Sequence, residues 1–177
     1  MTVDEETYRE ILANFPSGIA VVTSFDGDGK PNGLTVSAFC AVSLNPPLVL
    51  VCIDKESNTL KAIETNGGFT VNLLAAGRED LARAFATKDS EKFSTVQWER
   101  GQTHEAGPVL MDDCVSFAAC TLHESIEAGD HWILVGRVED GAINSDREPL
   151  VYGQRRFAAW HDLSTDRLEH SDFKEDK

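Results

Sequence analysis

Apolar positions along this chain switch between two rhythms, and each switch marks a predicted element. Tyr8, Ile11, Leu12 and Phe15 fall three and four residues apart, the spacing of one helical face, which predicts a short amphipathic helix over residues 5–15. Pro16-Ser17-Gly18 ends it. Residues 19–25 form a β-rich run that meets Asp26-Gly27-Asp28-Gly29, a tight-turn sequence, and after Pro31-Asn32-Gly33 the extended pattern resumes over residues 34–42. The small residues of that second strand leave room for something against it.

Pro46-Pro47 breaks the chain before Leu48-Val49-Leu50-Val51-Cys52-Ile53, a continuous apolar run that suits a strand buried on both faces. A Ser or Asn cap leads into a predicted helix over residues 57–64, stopped by Gly67-Gly68. A strand over 69–74 and a helix over 78–85 follow, the latter with Leu81, Ala82 and Phe85 on one side. Residues 86–108 read as a polar, irregular connection of a length usually reserved for function. Strands are predicted over 114–122 and 131–139, linked through 126–130, with a last short strand at 150–152. The count of six or seven short strands with two or three peripheral helices predicts a mostly β fold, and periodicity leaves barrel and sandwich equally open.

Residues 161–177 hold six acidic and three basic side chains and little that is apolar, so the expectation is one domain over 1–160 and a flexible acidic tail. Across all 177 residues, 30 acidic against 16 basic side chains give a net charge of −14. Such a chain is repelled by nucleic-acid phosphates and anionic lipid, and no basic cluster offsets this, so neither nucleic acid nor membrane is an expected partner. No run approaches the roughly 20 apolar residues of a bilayer span. The acidic start, Met1-Thr2-Val3-Asp4-Glu5-Glu6, does not resemble a secretory signal, and a cytoplasmic protein is expected. Cys40, Cys52, Cys114 and Cys120 form no C-x-x-C pair, which predicts small buried hydrophobes and no metal site.

Three segments carry candidate chemistry. Gly33-Leu34-Thr35-Val36-Ser37-Ala38-Phe39, followed by Val42-Ser43-Leu44-Asn45-Pro46-Pro47-Leu48, can present backbone polar groups to a flat, polar-edged ligand. From spacing alone it reads first as a plain strand with Thr and Ser alternating on its wet face. Ile53-Asp54-Lys55-Glu56-Ser57-Asn58-Thr59 feeds a helix N-terminus, where free N–H groups suit a phosphate, though Ser and Asn occupy such positions as ordinary caps. Gly129-Asp130-His131-Trp132 opens a strong strand, and His131 at its mouth either reaches a ligand or is simply solvated.

Taken together and in order, these segments resemble the flavin reductase-like family, the small reductase components of two-component flavin monooxygenases. The opening pattern is Phe15-Pro16-Ser17-Gly18-Ile19-Ala20-Val21-Val22-Thr23, with Ser17 where Thr is commoner, and Pro149-Leu150-Val151-Tyr152 closes the likeness, which runs from about Tyr8 to Trp160. The resemblance implies a homodimeric FMN-binding split β-barrel that holds FMN or FAD without a covalent bond and takes NADH or NADPH as co-substrate. It implies that Thr35, Val36, Ser37 and Ala38 line the isoalloxazine edge, and that Asp54, Ser57, Asn58 and Thr59 hold the ribityl and phosphate groups. Ser17 and Ile53 join the cofactor-binding set. Ala86, Lys92 and Phe93 approach from the long connection, and His131 meets the nicotinamide nucleotide with Tyr152 and Arg156 nearby. One segment departs: Gly153-Gln154-Arg155-Arg156-Phe157 carries Phe and a doubled Arg where the family has a Gly-Arg-Tyr type sequence, which leaves the choice of NADH or NADPH open.

The implied reaction moves a hydride from nicotinamide C4 to flavin N5, chemistry that the cofactors carry and that requires no catalytic base or nucleophile from the protein. Reduced flavin would reach a monooxygenase partner by diffusion. Two other readings share the barrel: a flavin carrier that does not turn over NADH, and an oxidase of a small substrate.

Overall fold

The computed structural model describes residues 2–160, and the predicted acidic tail at 161–177 lies outside the described residues. In chain order the elements are α1 (Glu5–Ala13), β1 (Ser17–Gly18), β2 (Ala20–Phe25), β3 (Pro31–Val36), β4 (Phe39–Leu44), β5 (Pro47–Asp54), α2 (Asn58–Asn66), β6 (Gly68–Leu74) and α3 (Glu79–Phe85). A 3-10 turn (Lys92–Thr95), β7 (Glu99–Arg100), β8 (Pro108–Val109), β9 (Cys114–Ala128), β10 (His131–Ile143), β11 (Leu150–Gly153) and β12 (Arg156–Ala159) complete the described chain.

Seven strands form one antiparallel sheet in the order β3-β2-β6-β9-β10-β5-β4. Its two outermost strands, β3 and β4, are separated in sequence only by Ser37 and Ala38. Two residues span at most about 10 Å from strand end to strand end, so the sheet must curl until its edges meet. The result is a barrel with a seam at Ser37-Ala38, which decides the barrel-or-sandwich question that periodicity left open. A small sheet, β1-β11-β12, and the β7-β8 pair attach to this frame.

Alternation along β2 builds the interior. Ala20 and Val22 enter a cluster with Val36, Val51, Ile53, Phe69, Val71 and Leu134, closed by Leu60 and Ile63 of α2. Ile19 and Val21 face the other way, into a second cluster with Ala82, Phe85, Phe93 and Leu150 under α3. β2 is therefore buried on both faces along its whole length, and β6 beside it nearly so. β5, predicted to be so from its apolar run, buries only Val51 and Ile53 fully, because it lies next to the edge strand β4.

Other expectations also change. The predicted first helix forms and ends at Ala13, but it buries no residue, and Phe15 beyond it is 75% exposed. β9 and β10 run through the segment predicted as a linker and turn only at Gly129-Asp130, with Gly129 at φ 64°. Polar residues such as Glu124 and Glu127 hid this arm, since their backbone still pairs with β10 while their side chains stay wet. Cys114 and Cys120 are buried, and desolvation raises their thiols to about 11 and about 12. Cys40, expected to be buried, is exposed on β4 because that strand ends the sheet.

Candidate functional site

The seam gathers residues that lie far apart in sequence. The Ala38 carbonyl accepts a hydrogen bond from the Cys52 N–H (3.2 Å), which sets Ala38 beside β5 two residues before Asp54. Across the next ladder His131 pairs with Asp54. The Ser37-Ala38 bend, the end of β5 and the start of β10 thus share one end of the barrel. The Ser37 carbonyl is taken by the Phe39 N–H (3.1 Å), and among the described residues the Ser37 and Ala38 N–H groups make no backbone hydrogen bond. Both residues are exposed, so this bend presents two donors and no free carbonyl to its surroundings.

From Asp54 the chain turns into α2. Asp54 Oδ1 accepts from the Glu56 N–H (2.7 Å), and its carbonyl accepts from the Ser57 N–H (3.0 Å). Ser57 is the N-cap, its hydroxyl accepting from the Thr59 N–H (3.2 Å). Asn58 is exposed at the first position of the helix, whereas Thr59 is buried. The unpaired N–H groups of a first helical turn carry partial positive charge and attract anions. Two basic side chains flank this turn: Lys55 is paired with Glu127, and His131 Nδ1 lies 2.7 Å from Asp130 Oδ1. These contacts hold the Glu127 and Asp130 carboxyls below their ordinary range, chiefly through the hydrogen bonds from Lys55 and His131.

Side chains of β3 alternate between the two clusters. Val36 points into the barrel core, as does Ile53 from β5, so these two residues can offer a ligand only backbone. Thr35 faces outward and donates its hydroxyl to the Ala82 carbonyl of α3 (2.7 Å). Packing of α3 on β3 thus engages this hydroxyl within the protein, and Thr35 has only its backbone to offer a ligand. Ala86, Lys92 and Phe93 gather on the same outer face. Phe93 is buried edge-on against Phe85 with ring centres 4.9 Å apart, and both rings crowd Gly33. Lys92 donates to the Thr87 carbonyl (3.0 Å), and partial burial lowers its pKa against the opposing pull of Asp89. Ala86 caps α3 and is exposed.

On the other side of the seam, Ser17 pairs with Tyr152 between β1 and β11. Both residues, with Ser37 and Phe15, line a cleft of about 420 Å³ under α1. Tyr152 is steadied by the Phe157 ring, 5.0 Å away. Arg156, expected nearby, is exposed and donates to the Gln154 side chain (3.4 Å) instead of lining this cleft. Its neighbour Arg155 lines the cleft, together with Arg9. The doubled arginine flagged the position without saying which guanidinium turns inward, and nothing in the sequence singled out Arg9. The expected residues therefore fall into three neighbouring groups: the helix-start group with His131, the cleft group with Tyr152, and the outer group on β3. Ser37-Ala38 joins the first two.

Comparison with known proteins gives a consistent result. The sequence profile of the family described as "Flavin reductase like domain" matches residues 12–161. A flavin reductase (NADH) from Kitasatospora aureofaciens is 41% identical over 159 residues, covering 89% of this chain and 83% of the relative. A flavin reductase (NADPH) from Lentzea aerocolonigenes is 39% identical over 153 residues, covering 86% and 88%. Among solved structures, BorF, the flavin reductase component of a bacterial two-component tryptophan halogenase, superposes with a TM-score of 0.79 at 32% identity, covering 88% of this chain and 98% of that one.

Proposed function

This chain belongs to the flavin reductase-like domain family, and from that premise we propose that it uses NADH or NADPH to reduce FMN or FAD held without a covalent bond at the barrel seam. The observation that carries the assignment of the site is the meeting, at one barrel end, of the two free donors of Ser37-Ala38 with the α2 start and His131. The donor set fits a flavin. Two adjacent backbone N–H groups suit the carbonyl-rich edge of the ring system, and a capped helix start with an exposed Asn58 suits a phosphate.

When bound, the flavin supplies the hydride acceptor. The protein's own part is positional and electrostatic. The Ser37 and Ala38 N–H groups would hold the ring edge and favour negative charge there, as fixed backbone donors do. Ser57 and Asn58 anchor the phosphate end, Asp54 shapes the turn that holds them, and His131 stands where a second nucleotide would approach. The cleft at Ser17 and Tyr152 opens onto the same bend and gives that nucleotide room.

The protomer also carries uncovered apolar surface. Leu44 and Val42 on edge strand β4 are 96% and 48% exposed, and Ile11 and Leu12 stand out from α1. Surfaces of this kind mark association sites, and a two-fold homodimer is the commonest way to cover them. Light scattering should return twice the 19.4 kDa chain mass; a monomer at micromolar concentration would reject the dimer. The reduced flavin serves a separate oxygenase component and reaches it by diffusion. Among the described residues, no helix is long and apolar enough to cross a membrane.

The deciding experiment is anaerobic mixing of the protein with FMN or FAD and then NADH or NADPH, following visible flavin absorption. Protein-dependent bleaching is the expected result, and the four pairings identify the preferred partners. Flavin binding without bleaching would reject the reductase reading in favour of a carrier or oxidase. No flavin binding would reject the site as well.

A further inference from the structure

One peptide step of α3 reaches both sides of the seam. The Ala82 carbonyl holds the hydroxyl of Thr35, which stands just before the Ser37-Ala38 bend (2.7 Å). The next residue, Arg83, lays its guanidinium over the Phe157 ring, 4.9 Å from the ring centre. Arg83 is exposed and forms no ion pair among the described residues, so no carboxylate draws it off that ring.

From Phe157 the contacts continue inward. Phe157 lies directly opposite Tyr152 in the β11–β12 ladder, and Tyr152 lies opposite Ser17 in the β1–β11 ladder. Residues opposite one another in an antiparallel ladder share a face of the sheet, so these three side chains form one row. The Phe157 and Tyr152 rings meet at 5.0 Å with a 57° tilt, and both pack against the second apolar cluster under α3. At the far end of the row, Tyr152 and Ser17 line the cleft together with Ser37. Arg83 does not line it.

Two half-buried rings in contact can tilt only together. Phe157 sits on β12, an edge strand of its small sheet, with Tyr152 on one side and the Arg83 guanidinium over its face. A cation over an aromatic face is attracted by the ring quadrupole, and the flat guanidinium adds stacking. We propose that Arg83 is a positioning residue for the pyridine nucleotide: it clamps Phe157, Phe157 fixes the tilt of Tyr152, and Tyr152 presents one shape of cleft to the nucleotide. The inference rests on the reductase reading above and extends it to a side chain of α3 that acts through two others.

Two readouts test it, one of them independent of activity. The chain has two tyrosines, Tyr8 and Tyr152, so isotopically labelled tyrosine gives two sets of ring signals in NMR spectra, and Tyr8→Phe assigns them. Arg83→Ala should shift the Tyr152 ring signals and leave those of Tyr8 in place. With flavin in excess, the same variant should raise KM for the pyridine nucleotide about two- to fivefold, the size of an exposed cation–π contact, with kcat, flavin affinity and melting temperature unchanged. Lys88→Ala removes the same charge from an exposed position just past α3 and should leave KM as it was. Phe157→Leu should also raise KM, and adding Arg83→Ala to it should change nothing further. Unshifted Tyr152 signals overturn the proposal, as does an unchanged KM in Arg83→Ala or an equal rise in Lys88→Ala. Additive effects of Arg83→Ala and Phe157→Leu overturn it too, since Arg83 would then act on the nucleotide without Phe157. Oxidation of neither nucleotide by the wild type would instead overturn the reductase reading, and the positioning role with it, while the Tyr152 signals would still report on the contacts from Arg83.

Discussion

His131 lies directly opposite Asp54 in the β5–β10 ladder, so the mouth of one strand and the turn that starts α2 are a single rigid unit. The Lys55 N–H donating to the Asp130 carbonyl (3.1 Å) ties the two turns again. The His131 side chain can therefore be changed without loosening the backbone that carries it.

The first prediction uses that rigidity. His131→Ala should raise the apparent KM for the pyridine nucleotide severalfold and leave flavin affinity within about twofold, because the flavin contacts assigned here come from Ser37, Ala38 and the α2 start. Steady-state kinetics and flavin fluorescence titration read the two quantities separately. Weakened flavin binding with an unchanged KM would move His131 out of the nucleotide site.

At the α2 start, folding and binding can be told apart. Ser57→Ala removes a helix cap and should cost about 1 kcal/mol, a melting shift of about 2–4 °C for a chain of this size, as well as weakening flavin binding. Thr59→Ala acts on a buried position and mixes the same two effects. Asn58→Ala touches an exposed side chain and should weaken flavin binding with the melting temperature unchanged. If Asn58→Ala leaves flavin affinity as it was, the phosphate assignment at this residue fails.

Packing inside the barrel has little slack at Gly136. A Cβ there would stand 2.5 Å from Phe69 Cζ and 2.8 Å from Cys120 Cβ. Gly136→Ala should destabilise by about 1–3 kcal/mol, and Phe69→Leu in the same chain should recover part of that loss by opening space. Urea titration of the single and double variants checks it; an unaffected single variant would mean that the Phe69 ring moves freely.

Acid sensitivity has a definite sign. Asp4, Glu127, Asp130 and Glu139 all titrate below their ordinary values, first through hydrogen bonds from Thr7, Lys55, His131 and Arg137 respectively. A carboxyl with a depressed folded pKa binds protons more readily when unfolded. Its contribution is thus complete at neutral pH and disappears as pH falls from about 4 toward the folded value. The overall negative charge relaxes over the same descent, so the quantity to compare is the difference between wild type and Glu139→Gln. That difference in melting temperature should be largest at pH 6–7 and shrink below about pH 4. A gap that widens on acidification would contradict the assignment.

Much of the fold was legible because it is written in local patterns. Helical spacing at Tyr8, Ile11 and Leu12, the Asp-Gly turn after Phe25 and the Ser57 cap each depend on residues within one or two turns of chain, and each element formed close to where it was predicted. The motif at Thr35-Val36-Ser37-Ala38 and its likeness to a flavin-handling family were likewise visible in order along the chain. Less legible were β12 and the outer half of the β9–β10 arm. Their turn at Gln154-Arg155 uses left-handed non-glycine residues, and their polar side chains obscure a ladder made by backbone alone.

What the sequence determined by itself was the three helices, most of the longer strand segments and the residue types available to a ligand. Closure was a different matter. Whether β3 and β4 end up adjacent or apart depends on the summed twist and pairing of seven strands, and no window of sequence contains that sum. The β4–β5 and β5–β10 ladders put Ala38 beside Cys52 and near the pair formed by Asp54 and His131, and only closure carried the far edge strand β3 round to the same place. Only the packing of α3 turned the Thr35 hydroxyl onto Ala82, and only the docking of the β11–β12 turn on α1 brought Arg155, and not Arg156, over the cleft. Side-chain chemistry is a local property of the chain, whereas the direction in which a side chain faces follows from contacts between segments that meet only after folding.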